Sequence, residues 1–466
     1  MVSKQWRVRF ALTPTPPVVP SAKCVSLSSD ARPLPARSRP KSKLACHECK
    51  SRRVKCDETY PVCGHCKRRG TLCIPAPRHS GWHLELPLLI QQARNPSGTS
   101  PSLLLQYYFE RVCHIMVLDP ENNPLAFPLL TLMKESDALL HVVQSIAAAH
   151  KHGFADDTSS ECLFERKRAL LSIQQELRHV RKQSVSTFLA IFLMGISSPW
   201  IEGTSGMEHL LGARALSDIL LNNPNVDYSS AYMQMILGAY IWWEMAASFN
   251  LDHRLQRPLG TDAICRAVMA NRLEYHSLTG YSLELFYLIA NLNHYCRQIV
   301  DGEPRDLAHE AAVEEQLLNW KPCGNDILLV SLSGAYRKHG LIQLRRICGP
   351  NNGESDLENE RQIQTWAAEA MEDLLEIPHT SPYLNFQPIP LLSAASEICS
   401  DNRKQQEEVK ARFRALYSLT HLPVMLDAIT LLEEIWSLGR WGSRRRGRWY
   451  FLRRGSCLLW RDGLSR

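Results

Sequence analysis

The 466-residue chain lacks the short motifs that carry most enzyme chemistry. It has no GxSxG nucleophile elbow, no GxxxxGK(S/T) phosphate loop, no HExxH metalloprotease helix and no GxGxxG dinucleotide fingerprint. His141 and His150 flank an apolar stretch, where a hydrogen-bonded structural histidine is more common than a base or a ligand. We therefore predict that the chain is not an enzyme.

Long apolar runs are also missing. The two most apolar stretches, 188–201 and 233–249, are shorter than the ~18–20 residues that a transmembrane helix needs, and the second contains Glu244. Prolines interrupt the N-terminal segment, so it has no apolar run of the kind found in signal peptides. We expect no membrane partner.

Cysteines, by contrast, form a dense and regular group. Six of them have the spacing C-x2-C-x6-C-x6-C-x2-C-x6-C, and the second half repeats the first at a shift of seventeen positions; they are Cys46, Cys49, Cys56, Cys63, Cys66 and Cys73. Structural zinc takes four ligands in a tetrahedron. Two zinc ions need eight ligand positions, which six cysteines fill only if two of them, one from each half, bridge both metals. The spacing therefore predicts two structural zinc ions (Zn²⁺) per chain.

Two other interpretations of the six cysteines remain open, namely three disulfides or unrelated buried thiols. Disulfide frameworks are typical of secreted chains, and nothing in this sequence indicates secretion. The nine remaining cysteines are scattered singly, which is typical of free thiols in a reducing compartment. His47 and His65 lie inside the two CxxC turns, where we expect their side chains to face solvent rather than a metal.

Basic residues are threaded through the cysteine cluster. They are Lys50, Arg52, Arg53, Lys55, Lys67, Arg68 and Arg69. Six thiolates and two divalent zinc ions leave two negative charges, so these cations exceed what neutralisation requires. A compact basic face on a small zinc module is the electrostatic footprint of nucleic-acid binding.

The segment CHECKSRRVKCDETYPVCGHCKRRGTLC resembles the DNA-binding module of the fungal binuclear zinc-cluster (Zn(2)-Cys(6) type) transcription factors. All six cysteines have the family spacing, and Pro61 matches the proline of the loop between the two halves. In that family the first cysteine of each half bridges the metals. The resemblance therefore implies that Cys46 and Cys63 are the bridging ligands.

The same resemblance implies which side chains contact double-stranded DNA. The family's short helix after the first CxxC places its C-terminal end in the major groove. Arg52 and Arg53 stand at the base-reading positions, and arginine can donate two hydrogen bonds to guanine O6 and N7. Lys50 and Lys55 stand near phosphates. Family members usually read CGG-type triplets.

The net charge of +7 hides a strong asymmetry along the chain. Residues 1–40 carry about +6, residues 41–79 about +7 and residues 437–466 about +8, which leaves about −14 for residues 80–436. A basic DNA-facing end beside an acidic body suits a regulator that works in the nucleus.

Two segments have the composition of disordered chain or linker, and the C-terminal tail is a third unusual segment. Proline, serine and arginine dominate residues 1–45, which we predict to be a disordered basic segment preceding the zinc module at 46–73. Residues 74–100 form a flexible linker. The tail at 437–466 is rich in arginine with interleaved tryptophan and tyrosine. Its origin is uncertain, since a gene-model error explains it as well as a function does, and we place no site there.

The linker departs from the usual family pattern. Relatives often follow the cluster with a dimerising coiled coil, but the leucines here are too crowded for a heptad: Leu84, Leu86, Leu88 and Leu89. Pro87 also interrupts any helix. A homodimer must therefore depend on the helical body, or else the protein binds DNA as a monomer. We favour the dimer because a single module touches few base pairs.

Helical periodicity dominates residues 101–436, and β signals are sparse. Apolar residues recur at steps of four and three, as at Leu285, Ile289, Leu292, Cys296 and Ile299. This pattern predicts an all-α domain of roughly a dozen helices. The fold class is therefore mainly α, with a small binuclear zinc-cluster module, a flexible linker and a large all-α regulatory domain.

Segments of the body resemble the fungal-specific transcription factor domain, in the branch of sterol-uptake and metabolic-cluster regulators. They are LLLQYYFERV (103–112), WIEGTSGMEHLLGARAL (200–216), HSLTGYSLELFYLIANLN (276–293) and RFRALYSLTHLPVMLDAITLLEEIW (412–436). The resemblance implies a regulatory role, with a small-molecule effector and the transcription machinery as partners. Trp242 and Trp243 are more often core residues than a ligand platform, although this family's helical domain can hold apolar ligands.

Together these observations predict a sequence-specific DNA-binding transcription factor that acts on RNA polymerase II genes, such as a metabolic or secondary-metabolite gene set. Two rival functions remain open. One is an enzyme or ligand-binding helical protein with an appended metal module. The other is non-specific nucleic-acid binding, for example to RNA, although the paired arginines behind a CxxC favour duplex DNA.

Overall fold

The structure is a computed structural model that describes residues 45–59, 61–74, 101–153, 160–178, 185–202, 206–222, 230–255, 262–351, 353–399 and 401–437. The predictions made for the N-terminal segment before residue 45, for the linker after residue 74 and for the tail after residue 437 lie outside the described residues. Within them the predicted mainly α fold is confirmed. Outside the helices, β pairing in this part of the chain is limited to a bridge between His276 and Gly280.

The zinc module contains two short helices, α1 (His47–Ser51) and α2 (Gly64–Arg69). Each begins directly after a cysteine, Cys46 or Cys63, whose sulfur accepts a hydrogen bond from the backbone N–H three residues later. The cysteine therefore takes the role that serine or aspartate has at most helix N-termini. The seventeen-residue repeat of the sequence is thus also a repeat of local structure.

The described part of the body is built from helices. In chain order they are α3 (Pro101–Tyr107), α4 (Leu129–Met133), α5 (Asp137–His152), α6 (Ser160–Arg178), α7 (Val185–Ile201), α8 (Met207–Leu221), α9 (Ala231–Ala247), α10 (Asp262–Asn271), α11 (Leu283–Val300), α12 (Leu307–Asn319), α13 (Ile327–Cys348), α14 (Asp356–Glu376), α15 (Pro388–Ala395), α16 (Arg403–Thr420) and α17 (Val424–Ser437). A π-helical turn at Tyr108–Val112 and a 3-10 turn at Cys113–Ile115 continue α3.

Polar side chains fix where many of these helices begin. Backbone N–H groups of the first turn donate to Ser136, Ser230, Asp306, Asp326, Ser355 and Asn402. At the start of α14 the bond is reciprocal, because the Glu358 side chain also accepts from the Ser355 backbone. These caps satisfy donors that have no partner inside the helix.

The apolar periodicity of the sequence is confirmed in the core. On α11 the side chains of Leu285, Ile289, Leu292 and Cys296 are fully buried, and Ile299 is half-buried at the end of the helix. The two apolar stretches at 188–201 and 233–249 lie largely within α7 and α9, which are core helices of the body. Among the helices that the structure describes, none combines the length and apolarity needed to cross a bilayer.

Glu244 on α9 is a fully buried carboxylate. It pairs with Arg214 on α8 through both guanidinium nitrogens that face it, and Arg214 Nη2 also lies 2.9 Å from His294 Nε2 on α11. Burial alone would raise the pKa of Glu244, but its hydrogen bonds to Arg214 and His294 lower it to about 2. One ionic cluster therefore joins three core helices.

Candidate metal centre and nucleic-acid interface

The six cysteines of the module converge into one buried cluster. Their sulfurs form two groups of four in which every ligand atom lies within 4.8 Å of the others: Cys46, Cys49, Cys56 and Cys63 in one, Cys46, Cys63, Cys66 and Cys73 in the other. Cys46 and Cys63 belong to both groups. This is the arrangement that two metals sharing two bridging ligands require.

The sulfur–sulfur distances fit tetrahedral zinc. The Cys46 and Cys63 sulfurs lie 3.8 Å apart, Cys46 and Cys66 also 3.8 Å, and Cys49 and Cys63 3.6 Å. A tetrahedron with Zn–S bonds of ~2.3 Å has edges of about 3.8 Å. Disulfide bonds would need sulfurs at ~2.0 Å, and all six of these cysteines are free thiols.

The protonation chemistry of the cluster also calls for a cation. Burial, followed by hydrogen bonds to Cys63 and Cys46, raises the pKa of the Cys66 thiol to about 12. Burial and the same kind of neighbours raise the pKa of Cys49 well above its usual value. Six thiolates cannot share so small a volume without positive charge between them, and divalent zinc would supply that charge.

The module is closed by backbone bonds rather than by its histidines. The His47 N–H donates to the Ile74 carbonyl at 2.9 Å, which ties the start of the module to its end. His47 is exposed and His65 half-buried, and neither belongs to a four-sulfur group. The interpretation that the histidines are not ligands is consistent with this placement.

Asp57 is a structural residue that sequence reasoning missed. Its two carboxylate oxygens accept from the Gly64 N–H at 3.1 and 2.9 Å, and it also accepts from the Thr59 N–H at 3.3 Å. Burial would raise the pKa of Asp57, but these backbone hydrogen bonds lower it. Asp57 therefore joins the first half of the module to the N-terminus of α2. The signal available in the sequence was an acidic residue directly after Cys56, ahead of the second CxxC.

The basic residues stand on the outside of the cluster. Lys50, Arg52, Arg53 and Lys55 are all exposed along α1 and the turn that follows it, so the structure brings the four predicted DNA-contacting side chains to one region of the module. Arg52 Nε pairs with Glu48 Oε1 at 2.6 Å, one helical turn away. The second half presents its own exposed cations, Lys67, Arg68 and Arg69.

Arg53 and Gly70 are equivalent positions in the two halves. The N–H of Arg53 donates to the Lys50 carbonyl, and the N–H of Gly70 donates to the Lys67 carbonyl, each three residues back. Both residues have a left-handed backbone, with φ of 57° for Arg53 and 62° for Gly70. The second half uses the residue that adopts this conformation without strain, and the first half uses an arginine.

The histidines considered for catalysis are structural. His141 Nδ1 lies 2.6 Å from Glu165 Oε2 in a buried pair, and His150 is buried with partners on both ring nitrogens. Trp243 is a fully buried core residue that contacts Phe192 edge to face. Trp242 is different, because it lines a cavity of about 140 Å³.

Two family models match the chain. The model described as "Fungal specific transcription factor domain" matches residues 102–460, and the model described as "Fungal Zn(2)-Cys(6) binuclear cluster domain" matches residues 44–83. The first match extends into the arginine-rich tail. Zinc as the cofactor is confirmed by the second match together with the two four-sulfur groups. The roles of individual residues stay predictions.

Two curated relatives share parts of this sequence. A Zn(2)-C6 fungal-type transcription factor of Gibberella zeae is 49% identical over 39 residues, which are 8% of each chain. The Zn(2)-C6 fungal-type transcription factor afumD of Aspergillus fumigatus is 30% identical over 121 residues, which are 24% of this chain and 32% of the relative. The chain thus spans at most about a third of these relatives, and no solved structure matches it. The domain matches show that it belongs to the fungal Zn(2)-Cys(6) transcription factors, which bind DNA and regulate transcription and are not enzymes.

Proposed function

We propose that this protein acts in the nucleus and reads CGG-like triplets in duplex DNA with Arg52 and Arg53. In this proposal the six cysteines hold two zinc ions, with Cys46 and Cys63 bridging, and the metals fold the reading module without taking part in chemistry. Lys50 and Lys55 contact phosphates beside the triplet. The regulated genes are transcribed by RNA polymerase II and include a metabolic or secondary-metabolite set.

The observation that carries this proposal is the left-handed backbone of Arg53. A side chain in this conformation costs roughly 1–2 kcal/mol, and the equivalent Gly70 avoids that cost. Strained residues of this kind cluster at functional sites. An arginine held there, exposed at the end of α1 and beside a second arginine, supports a direct contact of its guanidinium with a base.

The Arg52 side chain is more restrained than that of Arg53, because it forms an ion pair. Its ion pair with Glu48 lies along α1, and exposed pairs of this spacing contribute only about 0.3–0.5 kcal/mol. DNA can therefore displace Glu48 at small cost. We propose that Arg53 carries most of the base discrimination and that Arg52 adds to it.

The test is a set of binding isotherms for the full chain on duplexes with a CGG triplet and with each single-base change of it, at several salt concentrations. Arg53→Ala and Arg52→Ala should each cost about 1–3 kcal/mol on the CGG duplex and reduce discrimination. Lys67→Ala is the matched control: we expect this exposed lysine of the second half to contact a phosphate, and loss of such a contact weakens all duplexes alike and flattens the salt dependence. Full discrimination by the arginine variants, or equal affinity for single-stranded RNA, would contradict the proposal.

A second component of the proposal is an effector site in the helical body. The cavity of about 140 Å³ has a mainly apolar lining that includes Phe192, Trp200, Trp242 and Phe386. The indole N–H of Trp242 is buried and has no hydrogen-bond partner among the described residues. A cavity with this lining suits a small apolar ligand, and we propose that the unpaired Trp242 N–H donates to one acceptor on it.

Acetophenone and ethylbenzene test this site, because they have nearly the same shape and only acetophenone carries a carbonyl acceptor. Acetophenone should raise the melting temperature of the full chain more than ethylbenzene does. The difference should disappear in Trp242→Phe, which keeps an aromatic ring and removes the donor. Equal shifts in the wild type would show that the Trp242 N–H does not recognise a ligand.

The helical body is also the proposed site of homodimerisation, because the linker has no heptad pattern. We keep the domain limits proposed from the sequence, so that the helical body spans residues 101–436. We propose that this body contacts the transcription machinery. Genome-wide chromatin occupancy would identify the target genes and test their metabolic character. Occupancy without enrichment of CGG-like triplets would count against the assigned specificity.

A further inference from the structure

Helix α6 (Ser160–Arg178) has its polar and apolar sides reversed. The side packed against the body buries two charged residues, Glu165 and Arg166, together with Cys162, Ala169 and Ile173. The outer side carries large apolar residues with substantial exposure: Leu163 (49%), Phe164 (43%), Leu170 (38%), Leu171 (50%) and Leu177 (39%). Amphipathic helices normally bury their leucines and expose their charges.

Specific polar contacts hold this orientation. The Arg166 guanidinium donates to the hydroxyls of Ser197 and Ser198 at 3.0 and 2.8 Å and to the Met194 carbonyl at 3.0 Å, and it pairs with Glu202 at 2.5 Å.

Two acidic residues of α6 also have hydrogen-bond partners on the body. Glu165 pairs with His141 at 2.6 Å, and Glu176 accepts from the hydroxyls of Ser136 and Thr187 at 2.7 and 2.8 Å. Rotating α6 to bury its leucines would leave polar partners on the body, such as the buried Ser197 and Ser198 hydroxyls, without their hydrogen bonds from Arg166, which is unfavourable. The exposed apolar side is therefore a fixed feature of the fold.

The exposed leucines have coiled-coil spacing. Leu163, Leu170 and Leu177 are separated by seven residues each, so they form one row along the helix. Lys167 and Gln174 form a second, polar row beside it. Phe164 and Leu171 extend the apolar surface on the far side of that polar row. Leucine at one core position with a polar residue at the other is a pattern that sets pairing register at some expense of stability.

We infer that this face of α6 binds the same face of a second copy of the chain, as an antiparallel helix pair with its two-fold axis at Leu170. This inference specifies the surface of the homodimer proposed above and rests on that part of the proposed function. Leu170 lies midway between Leu163 and Leu177, so an antiparallel pair places Leu163 of one copy against Leu177 of the other. Such a surface is self-complementary, as a two-fold interface requires.

Charge favours the antiparallel pair over a parallel one. A parallel pair in register would place Lys167 against Lys167 and Arg178 against Arg178, which repel each other. In the antiparallel pair Lys167 lies level with residue 173 of the other helix, beside Gln174, and Arg178 lies level with residue 162, beside Glu161. The dipoles of the two helices are also opposed.

The size of the surface predicts a weak dimer. The five apolar side chains expose on the order of 400 Å² per copy, which is in the range of functional patches on soluble proteins. Two copies with a polar rim would bury roughly 1,000 Å², close to the lower limit of specific interfaces. We expect association of the free protein at micromolar concentrations, strengthened when two modules bind neighbouring half-sites.

The experiment is sedimentation velocity of the full chain without DNA, from about 1 to 100 µM. The wild type should show a monomer–dimer equilibrium. Leu163→Glu and Leu177→Lys should each shift dissociation at least tenfold toward monomer. The double variant should dimerise again, because Glu at position 163 then faces Lys at position 177 of the other copy. Leu357→Glu, at an exposed leucine of α14, is the control and should sediment as the wild type.

Each outcome decides the inference. A wild-type chain that stays monomeric at 100 µM, or a dimer that both single variants leave intact, would overturn it. Loss of the dimer in the single variants without recovery in the double variant would overturn the antiparallel pairing. Circular dichroism and melting temperature of each variant separate loss of association from loss of folding. Since no DNA is present, failure of the proposed base reading would leave this result unchanged.

Discussion

The imidazole rings of His150 and His421 stack with their centroids 4.0 Å apart. His150 ends the buried part of α5, and His421 caps the C-terminus of α16 with a left-handed backbone. His421 Nδ1 donates to the His150 carbonyl at 2.6 Å, while His150 Nε2 donates to the Leu419 carbonyl and its Nδ1 accepts from the Tyr107 hydroxyl. These bonds use both rings in their neutral form and join the N-terminal and C-terminal parts of the body.

This stacked pair should make the body sensitive to mild acid. Burial lowers the pKa of His421 to about 4, and burial together with the neighbouring His421 lowers that of His150 to about 3. A histidine whose pKa is depressed in the folded state contributes full stability above its unfolded pKa of ~6.5, and that contribution falls as the pH drops toward the folded value. We therefore expect the free energy of unfolding to decrease between pH 7 and pH 5.

His421→Asn tests this expectation, because asparagine tolerates the left-handed backbone and does not titrate. Urea unfolding followed by tryptophan fluorescence at pH 7.5 and pH 5.5 should show a decrease about 1 kcal/mol smaller in the variant than in the wild type. The other histidines and the zinc ligands are common to both proteins and cancel. Equal decreases in both proteins would contradict the assignment.

Removing one partner of the buried Arg214–Glu244 pair should lower the unfolding free energy strongly. Replacing both partners by apolar residues should lower it less. Glu244→Gln leaves the Arg214 guanidinium buried without a counter-charge, and we expect a loss of about 3–5 kcal/mol in unfolding free energy. The double variant Arg214→Met with Glu244→Met should lose less than the Glu244→Gln variant, because it removes both charges. Lys410→Ala, at the exposed pair with Glu433, should cost below ~1 kcal/mol. A double variant that loses as much as Glu244→Gln, or more, would contradict this expectation.

Replacing a bridging cysteine should remove more zinc from the protein than replacing a terminal cysteine. Cys46 belongs to both four-sulfur groups, whereas Cys49 belongs to one. Elemental analysis of the full chain should give two zinc ions for the wild type, close to one for Cys49→Ser and close to none for Cys46→Ser. One zinc ion in the wild type, or the same loss in both variants, would rule out the shared-ligand arrangement.

Substitutions at the two left-handed positions, Arg53 and Gly70, should affect the stability of the zinc module and its DNA discrimination separately. Arg53→Gly relieves backbone strain and removes the guanidinium, so it should slow zinc release to a chelator while DNA discrimination falls. Gly70→Ala introduces the same strain into the second half, at roughly 1 kcal/mol, and should speed zinc release. Discrimination between duplexes should stay unchanged in Gly70→Ala. Faster release from Arg53→Gly would show that the arginine stabilises the module instead.

The sequence by itself determined the metal, the family and the helical class. Ligand number and spacing are local chemistry, since Cys46 and Cys49 share one turn and the second half repeats it, so metal stoichiometry follows from counting. Apolar periodicity likewise marks a helix such as α11 with its buried face. The hydrogen bond from the Gly64 N–H to Asp57 was within reach of the same local reasoning, because only seven residues separate the two.

Only the tertiary structure decided which way α6 faces. Its sequence is amphipathic, and periodicity alone predicts that the leucine row at 163, 170 and 177 is buried. The opposite orientation is the stable one because Arg166 pairs with Glu202, just after α7, and Glu165 pairs with His141 on α5. The stacking of His150 on His421 is set in the same way, since those residues are 271 positions apart. A buried charge or a buried ring is stable only beside its partner, and that partner is chosen when the helices pack together.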